Sequence, residues 1–143
     1  MTSCLQWQYH LQDIDWQALS HLYHIAPLGD KPADKLEMVF SNSRYVCFVF
    51  KGAELIGAGR VLADGYDCAY ICDVAIHPDY HGQGLGKAIM QYLINQSSEH
   101  KKILLYAVPG KEIFYQKLGF KMMNTAMAIF ENEPAMIASG VIR

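Results

Sequence analysis

Between residues 44 and 76 the apolar positions come in short runs bounded by turn residues, a pattern that suits strands better than helices. RYVCFVF at 44–50 is rich in aromatic and β-branched residues, and Lys51 and Gly52 make a tight connection into ELIGAGRVLA, so the pair reads as a hairpin. ADGYD at 63–67 supplies the next turn, and CAYICDVAI at 68–76 makes a third antiparallel strand before Pro78 interrupts it. Upstream, LQWQYHL at 5–11 alternates as a first strand. Asp13 or Asp15 can cap a following helix with Trp16, Leu19, Leu22 and Tyr23 on its apolar side, which Pro27 and Gly29 end. A second short helix runs through ADKLEMVF, burying Leu36, Val39 and Phe40, with Ser41 to Ser43 as its exit.

Downstream, Leu85, Ile89, Tyr92, Leu93 and Gln96 recur at helical spacing, so a helix begins directly on the glycine-rich stretch HGQGLG and runs to about Ser98. KILLYAV at 102–108 is a short apolar strand. A small helix follows from Gly110 or Lys111 to Leu118, Gly119 stops it, and a final strand is expected over 120–130. The last thirteen positions, with Pro134 and Gly140, have weak periodicity and leave both a packed and a mobile tail open. The mixture predicts one α/β domain spanning 1–143, with a mixed, mostly antiparallel sheet flanked by helices.

Composition narrows the function classes. With 52 % hydrophobic and 18 % charged residues over 143 positions, the chain can build a substantial core. Twelve Lys and Arg against fourteen Asp and Glu give a formal charge of -2, so nothing draws the whole molecule to nucleic acid or to an anionic membrane. No stretch approaches the roughly 20 apolar residues of a membrane span, and MTSCLQWQYH has no signal-peptide pattern, so the cytoplasm is the default location. Cys68 and Cys72 share a strand face about 13 Å apart, too far for one disulfide or one metal ion. His21 and His24 lack further ligands at a recognisable spacing, and no metal is expected.

The sharpest motif is the run from Asp73 to Ala88. Gly82, Gly84 and Gly86 let the backbone curl around a ligand while the amides at the start of the next helix point towards an anion, which suits a phosphate or pyrophosphate. A plain strand-to-helix turn is the alternative. Gly82 stands only three residues from Gly86-Lys87 and Ala88 follows, so a Walker A loop fails in both spacing and hydroxyl; the G-x-G-x-G spacing also misses the dinucleotide fingerprint.

His81-Gly82-Gln83-Gly84-Leu85-Gly86, followed after a helix and a strand by Phe114-Tyr115-Gln116-Lys117-Leu118-Gly119-Phe120, resembles the GNAT superfamily of acyl-coenzyme A dependent N-acyltransferases. The departure is His81, where the family usually has Arg or Gln. The resemblance covers nearly all of the chain and implies a sheet splayed around an acyl-CoA site. Acetyl-CoA would be the donor, its pantetheine arm pairing with the backbone of Val74, Ala75 and Ile76 and its pyrophosphate lying at Gln83 to Lys87, with His81 at the start of the loop. The positive charge of Lys87 could assist, or that side chain could simply be solvated.

Acetyl transfer to an amine needs a neutral nitrogen, a polarised carbonyl and a proton for the departing thiolate. The resemblance assigns that proton to Tyr115, which also packs beside the donor. A Glu used as base by some members falls at Tyr70, and an Asn contact falls at Val108. Asp73 is the candidate base or water-orienting group, although strand alternation directs it away from Tyr70, Cys72 and Val74, and a structural role competes. His77 is a weaker candidate. Water-assisted direct attack needs no dedicated base, and Cys72 is read as a packed thiol rather than a nucleophile.

The acceptor pocket is expected from the first two helices, the Arg60 to Tyr66 hairpin and the strand of Asp73. Arg60, Asp64, Tyr66, Tyr70 and Asp73 are its candidate residues, Arg60 and Asp64 alternatively organising the turn by hydrogen bonding, with Trp7 and Tyr23 as further lining or as core. The expected acceptor is a small-molecule primary amine; the alternatives are a protein or peptide amine, or a non-catalytic acyl-CoA sensor or interaction module. Small members of the family often pair, and the apolar MMNTAMAIF segment permits a homodimer interface while fitting an internal final strand equally well.

Overall fold

The computed structural model describes residues 4–143, so the first three residues of the N-terminal stretch read above lie outside it. It divides into two compact units, one running through Leu105 and the other from Tyr106 to Arg143.

The first unit is built on a five-stranded sheet of β1 (Leu5–Gln8), β2 (Tyr45–Lys51), β3 (Glu54–Ala63), β4 (Cys68–Ile76) and β5 (Lys102–Leu104), in that spatial order. The first four strands pair antiparallel and β5 joins β4 in parallel, as the mixed sheet requires. Helices α1 (Trp16–Ile25) and α2 (Ala33–Ser41) cover one face, and α3 (Leu85–Gln96) covers the other. Of the two candidate caps, Asp15 serves α1: its carboxylate accepts the amides of Gln17 and Ala18 at 3.0 and 3.1 Å, a contact worth about 1 kcal/mol.

Leu19, Leu22 and Tyr23 of α1 pack with Leu36 and Phe40 of α2 against Val46, Phe48, Ala58 and Ala75 of the sheet. On the opposite face Leu85, Ile89, Met90 and Leu93 of α3 are buried. Gly57 and Gly59 allow that approach, because a Cβ on either would come within 2.8 or 2.9 Å of Ile89 or Leu93. Overpacking of this kind typically costs about 1–3 kcal/mol.

Two strands are shorter than their apolar runs predict. β1 stops at Gln8 instead of residue 11, and β5 stops at Leu104 instead of residue 108. The second difference matters. β5 pairs with β4 only through Cys68, Ala69 and Tyr70, so among the described residues the stretch 71–76 is paired with β3 alone. This is the splay, produced by a partner strand that ends early.

The second unit contains α4 (Glu112–Gln116) and α5 (Glu133–Ala138), the latter capped by Asn132 on the amide of Ala135. The final strand expected over 120–130 does not form: that segment is irregular, and Met127 and Ile129 are almost wholly exposed. A strand needs an edge to pair with as well as an apolar pattern, and this unit has no other strand. The tail carries the helix α5.

Candidate active site

Two peptide groups set up the loop after β4. Gly82 and Gly84 have φ of +77° and +80°, conformations in which a side chain would be strained, and a Cβ on either would meet nothing within 4 Å. The cradle is therefore open. Gly84 sits at the N-cap of α3, where no side chain caps the helix, so the amides of Leu85, Gly86 and Lys87 are the first-turn donors that a helix leaves unmatched. Leu85 puts its side chain in the core and can contribute only backbone, whereas Gln83 and Lys87 are exposed.

His81 does not reach forward over this loop. Its Nε2 lies 3.1 Å from the carbonyl oxygen of Ile76, tying the loop back to the end of β4. His77 is also occupied structurally: its Nδ1 accepts the amide of Asp79 at 3.1 Å, which places the ring proton on Nε2, 3.5 Å from Glu54 Oε2. A cavity of about 380 Å³ adjoins the loop on the α3 face, lined by Leu5, Trp7, Ile56, Tyr80, Gln83, Gly84, Leu85 and Ala88.

In the middle of β4 the structure corrects the reading from alternation. Arg60 pairs with Cys72 and Ala58 with Ala75, so the two residues Asp73 and Val74 lie opposite the single residue Gly59. This bulge turns Asp73 to the same face as Cys72 and Tyr70, with the carboxylate accepting Arg60 Nε at 2.8 Å on Oδ2 and lying 3.6 Å from Lys31 Nζ on Oδ1. The candidate base is thus held between two cations. Arg60 also donates to Ser43 Oγ at 3.3 Å and lies over the Phe40 ring, so it is an internal anchor. Tyr23 is wholly buried and belongs to the core, not to a pocket lining. Burial pushes the Cys72 thiol up to about 11, keeping it protonated and a poor nucleophile.

Asp64 and Tyr66 lie at the other end of β4, roughly 26 Å along the strand from the glycine loop. Asp64 Oδ1 accepts the amides of Tyr66, Asp67 and Cys68 at 2.8, 2.7 and 3.2 Å, and those three donors hold its carboxyl down to about 2. Tyr66 is exposed beneath the Lys101 ammonium. These two residues form a turn, while Arg60, Tyr70 and Asp73 gather in mid-strand. The sequence points to neither Lys31 nor Ser43 as a site residue, Ser43 being read only as part of the exit of the second helix; only the packing of α1 and α2 on the sheet brings them to Arg60 and Asp73.

A hollow of about 470 Å³ opens between α1 and the segment entering α2, lined by Gln17, Ser20, His21, His24, Asp30, Lys31 and Pro32. In the second unit, Tyr115 of α4 stands edge-on to Phe114 and Phe120, and burial raises its phenol above the ordinary value.

The family profile described as "Acetyltransferase (GNAT) domain" matches residues 42–122, from the exit of α2 to just beyond the Phe-Tyr motif. The chain belongs to the GNAT family. It is 35 % identical over 112 residues to "Uncharacterized N-acetyltransferase ycf52" of Pyropia yezoensis, a match that covers 70 % of this chain and 64 % of that protein. A GNAT-family acetyltransferase from Streptococcus pneumoniae TIGR4 shares the fold with a TM-score of 0.76 at 21 % identity, over 90 % of this chain and 98 % of that one. A GNAT family acetyltransferase from Elizabethkingia anophelis, solved with acetyl-CoA bound, has a TM-score of 0.65 at 17 % identity, over 90 % of each chain.

Proposed function

We propose that this protein moves an acetyl group from acetyl-CoA to a primary amine of a small molecule by direct attack, without an acyl-enzyme. The observation that carries the reading is the uncapped start of α3 behind two glycines with open Cβ positions, next to the stretch of β4 left unpaired by β5. Such a loop fits a pyrophosphate on the amides of residues 83–87, and such an edge fits the amides of an extended pantetheine arm at Val74, Ala75 and Ile76. Acetyl-CoA supplies the activated thioester. The protonated thiol of Cys72 supports direct transfer, since a covalent route would need a thiolate.

Tyr115 acts as the acid, donating its phenolic proton to the leaving sulfur and regaining one through solvent from the acceptor nitrogen. Its phenol is protonated at neutral pH, the state a proton donor needs, and burial only strengthens its hold on that proton. The acceptor would enter through the open hollow beside Lys31, whose Nζ lies 3.6 Å from the Asp73 carboxylate.

Isothermal titration with acetyl-CoA, with CoA as matched control, comes first, followed by an amine panel read by thiol release. Saturable binding and turnover are expected. In Tyr115→Phe, kcat should fall about 100-fold with the dissociation constant for acetyl-CoA unchanged. Loss of binding in that variant would contradict the acid role, and a folded wild type that binds neither ligand would defeat the reading as a whole.

A further inference from the structure

Asp73 has a φ of +57° inside a strand, a left-handed conformation that Asp tolerates better than most residues but that extended strand pairing does not supply by itself. Three groups from three different parts of the chain hold it there. The Tyr23 hydroxyl, at the end of a wholly buried side chain of α1, donates to the Asp73 carbonyl oxygen at 2.6 Å. Arg60 Nε, from β3, donates to the carboxylate at 2.8 Å, and Lys31 Nζ closes the remaining side at 3.6 Å. The residue is therefore held at both its backbone and its side chain.

The bulge has a particular place in the sheet. It comes three residues after Tyr70, the last β4 residue paired with β5, and directly before Val74, Ala75 and Ile76. Its left-handed residue sets the direction of the peptide groups that follow, because φ and ψ are the only soft angles of the backbone.

We propose that Tyr23 and Arg60 are positioning residues for acetyl transfer: they clamp Asp73 in the left-handed conformation and so aim the backbone edge at 74–76 that the donor arm uses. Asp73 works here as the clamped residue of the bulge and not as the base. The inference rests on the functional reading above for its ligand, but the clamp itself has a signature in the free protein.

The test compares Tyr23→Phe, which removes one hydroxyl from the core, with Asp73→Ala and Asp73→Gly. Glycine occupies the left-handed region without support, whereas alanine needs the clamp yet cannot engage it through its side chain. Tyr23→Phe and Asp73→Ala should each weaken acetyl-CoA binding about tenfold, while Asp73→Gly, which loses the same carboxylate but needs no support in the left-handed region, should lose clearly less than Asp73→Ala. Adding Tyr23→Phe to Asp73→Gly should then cost less affinity than Tyr23→Phe costs the wild type. In the free protein, amide hydrogen exchange at Val74, Ala75 and Ile76 should speed up in Tyr23→Phe and Asp73→Ala more than it does across β2 and β3, a local change that general destabilisation would not produce. Affinity unchanged in Tyr23→Phe, or as weak in Asp73→Gly as in Asp73→Ala, overturns the clamp. If the wild type does not bind acetyl-CoA the functional reading falls, and unchanged exchange at 74–76 then removes the clamp on its own evidence.

Discussion

The two ends of β4 carry the same chemical problem and solve it in opposite ways. At the start of the strand three amides in a row converge on a single carboxylate, Asp64, and the turn is satisfied from within. At the far end the chain again turns tightly and again presents consecutive amides at the start of α3, but glycine stands where a capping side chain would be. An aspartate makes the first end a structural turn; its absence leaves the amides at the second end open, which is where the pyrophosphate site is proposed. Backbone donors are common, and what distinguishes a binding loop is that the protein withholds its own acceptor.

The most severe way to break this contrast is to give the second end a carboxylate of its own. Gly84→Asp places a negative charge at the open helix start in a backbone conformation that Asp tolerates better than most residues. Affinity for acetyl-CoA should fall about 100-fold or more, through the lost charge-assisted hydrogen bonds. The melting temperature should change little, and titration calorimetry with a thermal melt reads both. A large fall in stability with affinity intact would show that the glycine serves the fold alone.

The reciprocal change at the first end should separate the two properties the other way. Asp64→Asn should lower the melting temperature and leave acetyl-CoA affinity within about twofold of wild type. The Asp64 carboxyl is held down to about 2 in the folded protein, against about 3.9 in an unfolded chain, so its contribution is fully present above pH 4 and is lost as the pH falls through about 2. Melting temperature followed across that acid range should therefore drop less steeply in Asp64→Asn than in the wild type. The smallest effect is expected from Lys87→Ala. In the proposed site that exposed side chain only adds charge beside the binding amides, so the loss should be about threefold at low salt and vanish as ionic strength rises.

Much of the site was legible because it depends on local chemistry. Glycines 82, 84 and 86 at the start of an amphipathic run can be read as a loop feeding a helix, and the order of that loop and the Phe-Tyr motif pointed to the family before any coordinates. The bulge at Asp73 was not legible. Alternation predicts every second residue on one face, and an extra residue in β4 shows only when its pairing with β3 is traced from Ala58 to Arg60. Arg60 and Asp73, read as acceptor contacts, instead bind each other, because whether two charged groups thirteen positions apart meet depends on the strand register.

Strand length failed for the same physical reason. KILLYAV and the 120–130 segment have strand composition, yet the first pairs through only three residues and the second through none of its own unit. The sequence was sufficient for the element types through α4, for an aspartate cap on α1 and for the glycine loop, since each follows from conformational preference and hydrogen bonding among near neighbours. Long-range pairing decided where β5 ends, where β4 bulges and what holds Asp73, because backbone hydrogen bonds between strands are made with residues far away in the chain, and those partners set how far a strand extends and which way its side chains face.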